Sequence, residues 1–307
     1  MQSVMPAQAM QSMQSSAVRR VPELHYRIGA AVLGHFPGRH RSTRGDSGFE
    51  YRGQVGLLDA PDPRRLDLHA SLRDPFGDWK VRVYSQRKAV PVVMVADLLA
   101  SMGFVGARRR LDVVADFVDS LSVSAWRSGD SFGFVGCDAA VRTDLLLLPT
   151  RARGAGARLA QSLRSLLLGG GVGASGASGA SSRGLASAHR HLGRQRALVF
   201  LVSDFHLPLA DVEGVLASMA HHDLVPVVVW DAIELTLKAR FGLAHIVDPE
   251  TGRQRLVGWR AALRERWHEA LQQRRDALRH LFRAHRLKPL FIEAGFDADA
   301  VTRHFHS

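Results

Sequence analysis

The chain has 307 residues, 46% of them hydrophobic, and a formal charge of +12, which is enough apolar material to bury a full core without covalent staples. The single cysteine, Cys137, has no partner for a disulfide or a zinc motif, which excludes a disulfide scaffold and fits a reducing compartment. The positive charge is spread along the chain and is nearly all arginine, with lysine only at Lys80, Lys88, Lys238 and Lys288; without a recognisable binding module or aromatic-basic interleaving, this predicts salt-sensitive attraction to nucleic acid and no specific site.

Residues 1–20 are rich in Gln, Ser and Met, and their arginine pair follows the weakly apolar part instead of preceding it. They predict a disordered tail, not a secretory signal. Residues 21–89 are predicted as an extension packed on the core. The longest apolar runs, 89–96 and 224–230, are strand-sized and far below the roughly 20 residues that a membrane-spanning helix requires. The expectation is a soluble, cytoplasmic protein.

From residue 90 onward, apolar runs alternate with amphipathic stretches, which predicts a mostly parallel sheet covered by helices. A strand over 91–97 ends at Asp97. A helix over about 109–126 follows, with Leu111, Val114, Ala115, Val118 and Leu121 on one face, closed by Ser128, Gly129 and Asp130. Residues 130–136 and 140–149 predict an antiparallel edge hairpin turning around Cys137, Asp138 and Ala139. A helix over about 156–168 leads into 169–182, a Gly/Ala/Ser stretch with no charge and no large side chain, which predicts a flexible linker. It has no Gly-Lys-Ser/Thr ending and no preceding strand, as a phosphate-binding loop requires.

After the linker, a helical segment near His189 precedes a strand ending at Asp204, a helix over 210–222, and a strand over 224–230 before Asp231. A hairpin is expected around Pro249, Glu250, Thr251 and Gly252. A long helix over about 260–285 presents Leu263, Trp267, Leu271, Leu278, Leu281 and Phe282 as a stripe expected to face the core. A last strand over 288–292 and a short helix over 299–305 complete the pattern. The expected organisation is a core over 90–248 and a C-terminal hairpin, helix and strand over 249–307.

In a doubly wound sheet, ligands bind beyond the carboxyl ends of strands where the strand order reverses. Asp97 and Asp204 both stand at such ends, and if their strands are neighbours they face one crevice with Ser101 and Ser203 beside them. Other chemistry is poorly represented. A haloacid-dehalogenase-type phosphatase needs a second Asp two positions after its nucleophile, and that position is Leu99. No Gly-x-Ser-x-Gly elbow follows a strand, and no His-Glu-x-x-His pattern occurs among the fifteen histidines. Pairs such as His189 with His191, or His304 with His306, read as solvated surface. Residues 62–74 mix charges at short spacing through Asp62, Arg64, Arg65, Asp67 and Arg73. Two readings stand open for them: a partner-docking surface, and an ion-pair network tying the extension to the sheet.

The loop from Asp97 to Met102 resembles the Asp-x-Ser-x-Ser metal-binding loop of von Willebrand factor A domains, and Leu201 to Asp204 resembles their second acidic loop. Ser42, Gly45, Phe49 and Glu50, then Asp62 to Asp67, Ser71 and Arg73, then Asp231 to Glu234 and Asp248 to Gly252, are similar in order to the bacterial family called domain of unknown function fifty-eight. The resemblance covers about residues 35–305 and implies a von Willebrand factor A-like α/β fold.

Departures from the family pattern bear on the metal. Ala60 and Pro61 stand where Gly-Asp is usual, Leu68 replaces a Trp, and Leu99 stands where the loop's first ligating serine belongs. Mg²⁺ takes about six oxygen ligands in near-ideal octahedral geometry. Asp97, Ser101 and Asp204 could supply some of these, with Thr150 as a stand-in for a threonine on a separate loop. The expectation is a degenerate site, weak or empty, with no resident cofactor. The alternative is that Asp97 and Ser101 fix the strand-to-helix turn by hydrogen bonds to the loop backbone.

The resemblance further implies a MoxR-type AAA+ ATPase partner, with which family members form chaperone-like pairs that mature or load other proteins. The runs 70–87 and 199–209 are similar to the small member associated with methanol dehydrogenase maturation. A non-enzymatic adaptor presenting a client to the ATPase is therefore expected. The alternatives are a metal-dependent module that docks a partner's acidic side chain and an arginine-driven nucleic-acid binder.

Overall fold

The computed structural model describes residues 21–27, 37–41, 50–59, 61–85, 87–166, 182–235, 242–247 and 254–306. The expected tail 1–20, residues 169–181 of the expected linker, the turn 249–252, and Ser42, Gly45, Phe49 and Asp248 lie outside the described residues.

Among the described residues, four short strands precede the core: β1 (Pro37–Arg41), β2 (Glu50–Gly56), β3 (Lys80–Ser85) and β4 (Arg87–Lys88). They form two antiparallel ribbons, β1 with β4 and β2 with β3. Helix α1 (Leu68–Leu72) lies in the connection of the second ribbon.

The central sheet begins with β5 (Pro91–Asp97), β6 (Ser131–Cys137), β7 (Val141–Thr150), β8 (Leu198–Ser203) and β9 (Asp223–Val229). A separate antiparallel hairpin, β10 (Gly242–Val247) with β11 (Gln254–Trp259), follows. The last strand, β12 (Leu290–Ile292), returns to the sheet. The order is β12-β9-β8-β5-β6-β7, parallel throughout except for β7 at one edge. The chain winds from β5 outward to β6 and β7, then resumes on the other side of β5 with β8, so the order reverses between β5 and β8. This is the doubly wound, mostly parallel α/β architecture that the alternating sequence pattern predicts.

The period-two alternation of a strand divides the apolar run of β5 between two cores. Val92, Met94 and Ala96 enter one cluster, whereas Val93 and Val95 enter the other; β8 splits in the same way. The first cluster is roofed by α2 (Arg110–Ser128) and α3 (Ala155–Leu166). The second is covered by α4 (Arg183–Ser187) and α5 (Leu209–Ser218), and beyond the short α6 (Ala232–Leu235) by the C-terminal half of α7 (Ala261–Ala284). Helix α8 (Ala298–His306) returns to the first face through Val301 and Phe305.

In α2, Leu111, Val114, Ala115, Val118 and Leu121 are all buried. The helix stops at Gly129, whose φ of 77° is easily reached without a Cβ. The Gly129 N–H donates to Trp126 and the Asp130 N–H to Ala125, satisfying carbonyls of the last turn. Pro226 sits inside β9, but β12 pairs only with Val227 to Val229, so no ladder bond is lost on that side.

Three details differ from the sequence expectation. The helix expected over 210–222 ends at Ser218, and Met219 to His222 turn back so that His222 Nδ1 accepts from the Ala197 N–H at 3.3 Å. Trp267 is not core: it is 39% exposed, and its indole N–H donates to the Glu234 carbonyl at 3.2 Å. Thr150 is not near Asp97. It pairs with Phe132 at the start of β6, whereas Asp97 pairs with Cys137 at its end. At about 3.3 Å per residue this places Thr150 roughly 16 Å away along the strand direction, because β7 runs antiparallel and finishes at the opposite edge.

Residues 22–26 form a clasp over α2. Leu24 and Tyr26 are buried in the first cluster, the Leu24 N–H donates to Ser124 Oγ at 3.0 Å, and Ser120 Oγ donates to the Pro22 carbonyl. The Tyr26 hydroxyl donates to the buried Asp130 carboxylate at 2.5 Å, and Glu23 pairs with Arg127. The His25 N–H donates to Thr302 Oγ1 on α8 at 3.0 Å. No helix among the described residues is long and apolar enough to cross a membrane.

Candidate functional site

The strand-order reversal brings the ends of β5 and β8 together, as the sequence predicts for Asp97 and Asp204. Asp97 is 1% exposed and both of its oxygens are engaged: Oδ1 accepts from the Leu99 N–H at 3.0 Å and Oδ2 from the Ser203 hydroxyl at 2.7 Å. The first bond is a short Asx-type turn that redirects the chain after β5; the second ties the two strand ends across the crevice. Ser203 Oγ also accepts from the Phe205 N–H at 2.9 Å, which helps hold Phe205 at a φ of 51°. A fully buried serine hydroxyl committed in this way is not available as a nucleophile.

Asp204 faces a different partner. Its Oδ2 accepts from Nη1 of Arg110, the first residue of α2, at 2.8 Å, and its Oδ1 accepts from the His206 N–H at 3.1 Å. The Arg110 side chain is only 3% exposed. Nη1 also donates to the Ser101 carbonyl at 2.9 Å, Nη2 donates to Glu234, and the guanidinium lies 5.2 Å from the centre of the Phe104 ring. One guanidinium therefore joins the loops that follow β5, β8 and β9. A second, Arg274 of α7, donates to the carbonyls of Phe205 and Leu207 and holds the loop after β8 from above.

Asp231, at the end of β9, accepts from the Ile233 N–H at 2.8 Å and from the Arg108 N–H at 3.4 Å. Burial would push its carboxyl up, but the N–H groups of Ile233, Ala107 and Arg108 and the charge of Arg110 together hold it below the usual carboxylate range. The close approach depends on Gly106, where an added Cβ would lie 2.2 Å from the Asp231 carboxyl carbon. Cys137 is fully buried at the end of β6. Burial, reinforced by Asp97 and Asp138, pushes its thiol far up, so it is no nucleophile.

These residues do not fit a divalent cation. Leu99 is a buried hydrocarbon in the second core cluster, Thr150 is at the other end of the sheet, and both Asp97 oxygens already accept hydrogen bonds. Asp204 is neutralised by a guanidinium that would repel a second cation. Ser101 meets Arg110 through its main-chain carbonyl. Among the described residues, no group of three or more His, Cys, Asp or Glu side chains is arranged to hold a metal ion.

The charged run of the extension lies on the β2–β3 ribbon. Asp67 caps α1 by accepting from the Ala70 N–H at 3.2 Å, and it also accepts from Gln54 Nε2 at 2.9 Å and Arg82 Nε at 2.8 Å. Its carboxyl is lowered to about 2, chiefly by the Arg82 hydrogen bond and then by that of Ala70. Asp62 accepts from the Arg64 N–H at 3.1 Å and lies 3.3 Å from Arg65 Nε. Arg64 and Arg73 are exposed, as are Leu68, Leu72, Phe76 and Trp79 around them.

Sequence reasoning did not single out Arg110 as part of the crevice, and met Glu234 only as part of a family motif. The signal for Arg110 was present: it precedes Val113, Val114 and Phe117 by three, four and seven residues, on the buried stripe of α2.

The family model described as "Protein of unknown function DUF58" matches residues 60–277. The chain belongs to this family. A DUF58 chain is thus the setting for the Arg110 crevice. The chain is also 35% identical, over 101 residues, to an "Uncharacterized protein in moxR 3'region" of Paracoccus denitrificans, a match spanning 33% of this chain and 96% of that protein. Among solved structures, the conserved hypothetical protein BatB of Bacteroides thetaiotaomicron is similar at 14% identity and TM-score 0.40, covering 71% of this chain and 98% of that one. An aerotolerance-related membrane protein of Bacteroides fragilis is similar at 13% identity and TM-score 0.39, over 71% and 97%.

Proposed function

We propose that this DUF58 chain is a non-catalytic, cytoplasmic adaptor that works with a MoxR-type AAA+ ATPase on the maturation of a client protein. The observation that carries this reading is the 35% identity to a protein whose name places its gene in the moxR 3' region. The crevice chemistry is in keeping with it, since the Ser203 hydroxyl and the Asp97 and Asp204 carboxylates are committed to internal bonds and burial pushes the Cys137 thiol far up. In this reading the partner meets the protein through surface, and the exposed Arg64 and Arg73 with the apolar side chains around them, beside Asp62, Arg65 and Asp67, form the docking face. The narrower form of the proposal is that the client is methanol dehydrogenase.

The test is co-expression of the full chain with a MoxR-type ATPase. A complex that depends on nucleotide and changes the rate of ATP hydrolysis is the expected result, and Arg64→Glu with Arg73→Glu should weaken it. Absence of a complex in the apo, ADP and ATP-analogue states would overturn the proposal. Normal methanol dehydrogenase activity in a strain lacking this chain would remove only the narrower form.

A further inference from the structure

The crevice at the strand-order reversal contains a cation that belongs to the chain itself. The Arg110 guanidinium meets three oxygen groups, the Asp204 carboxylate, the Glu234 carboxylate and the Ser101 carbonyl, one from each loop following β5, β8 and β9. A hard divalent ion placed here would draw on these same acceptors. The guanidinium does not exhaust them. Arg110 Nε and Glu234 Oε2 are buried, and neither has a hydrogen-bond partner among the described residues. Two carboxylates and a carbonyl converge on one nearly inaccessible positive group, and a planar fork attached to α2 cannot leave as a free ion can.

We propose that Arg110 is the resident cation of this site, a covalently tethered replacement for a divalent ion, and that removing it leaves a cation cavity lined by Asp204, Glu234 and the Ser101 carbonyl. The crevice is then metal-independent by construction. Its charge balance does not vary with Mg²⁺ supply, and a carboxylate of a partner cannot complete a metal coordination sphere there. Asp97 takes no part in the cavity, because the Leu99 N–H and Ser203 hydroxyl direct hydrogens at its two oxygens. The charge arrangement of the crevice does not depend on the ATPase pairing.

The experiment uses the purified full chain with Mn²⁺ as the probe, read by the loss of free-ion paramagnetic resonance signal and by melting temperature. The wild type should bind no Mn²⁺ at about 1 mM and show no rise in melting temperature. Arg110→Ala should melt lower in EDTA and recover several degrees on adding either Mn²⁺ or low-millimolar guanidinium, each displacing the other. Arg110→Ala with Asp204→Asn should respond to neither. If Arg110→Ala does not fold in EDTA, refolding with Mn²⁺ replaces melting as the readout, and recovery supports the proposal as failure overturns it. Wild-type binding of one Mn²⁺ that Asp204→Asn abolishes would overturn it, as would a folded Arg110→Ala variant that ignores both cations.

Discussion

The Ser203 hydroxyl donates to the Asp97 carboxylate at 2.7 Å, joining two residues 106 positions apart at the ends of adjacent parallel strands. Because Ser203 also accepts from the Phe205 N–H, Ser203→Ala removes one hydrogen-bond donor from the buried Asp97 carboxylate and the side-chain acceptor of a buried N–H. The expected cost is about 1–3 kcal/mol. Urea unfolding should show a lower midpoint with an unchanged slope; an unchanged midpoint would mean that the backbone ladder between β5 and β8 and the packing around it hold the two strand ends without this bond.

Tyr26 offers an alkaline test. Burial, then the nearby Asp130 charge and hydrogen bond, push its phenol well above 10. A raised folded value means that the contribution is fully present below the unfolded value near 10 and is lost as pH rises toward the folded one. One of the chain's three tyrosines should therefore resist ionisation, read by phenolate absorbance, until the protein unfolds. Tyr26→Phe should abolish that delayed step and cost about 1–3 kcal/mol at neutral pH through loss of the hydrogen bond that Tyr26 donates to the buried Asp130 carboxylate.

The acid limb should report on Asp67. Its carboxyl lies at about 2 in the folded state against an ordinary 3.8. A depressed value means that stabilisation is complete above the unfolded value and is lost as pH falls from about 4 toward about 2. Asp67→Asn should flatten the stability profile in that window and leave the profile above pH 5 parallel to that of the wild type. An identical acid limb in both proteins would refute the Arg82–Asp67 pairing in solution.

At Gly106 the prediction is steric. An alanine methyl would lie 2.2 Å from the Asp231 carboxyl carbon, so the loop before α2 must shift. The expected destabilisation is about 1–3 kcal/mol, and Gly106→Ala combined with Asp231→Gly should recover part of it. A thermal melt of the single and double variants is sufficient, and strict additivity would show that the two residues do not meet.

The sequence was most readable where burial follows a period. Leu111, Val114, Ala115, Val118 and Leu121 announced the buried face of α2, and the uninterrupted apolar run of β5 announced a strand covered on both sides. The switch point was legible as well, because acidic residues at two strand ends imply a shared crevice once the strands are neighbours. Thr150 was misplaced because a linear motif gives no information on which end of an antiparallel strand a residue occupies. Arg110 was hidden among Arg108 and Arg109, where three identical side chains differ only in the direction in which the helix start points them. Trp267 followed the stripe of α7 but lies beyond the covered length of that helix, so periodicity alone overstated its burial.

The bond between the His25 N–H and Thr302 Oγ1 spans 277 positions. Closing so large a loop costs conformational entropy that local contacts do not return. During synthesis on the ribosome, residues 22–26 can meet Ser120, Ser124 and Asp130 about 100 positions after they are made, whereas the tie from His25 to Thr302 waits for α8. Until then the clasp lacks its last tie, and the length of that interval is set by the elongation rate and not by the intrinsic speed of folding.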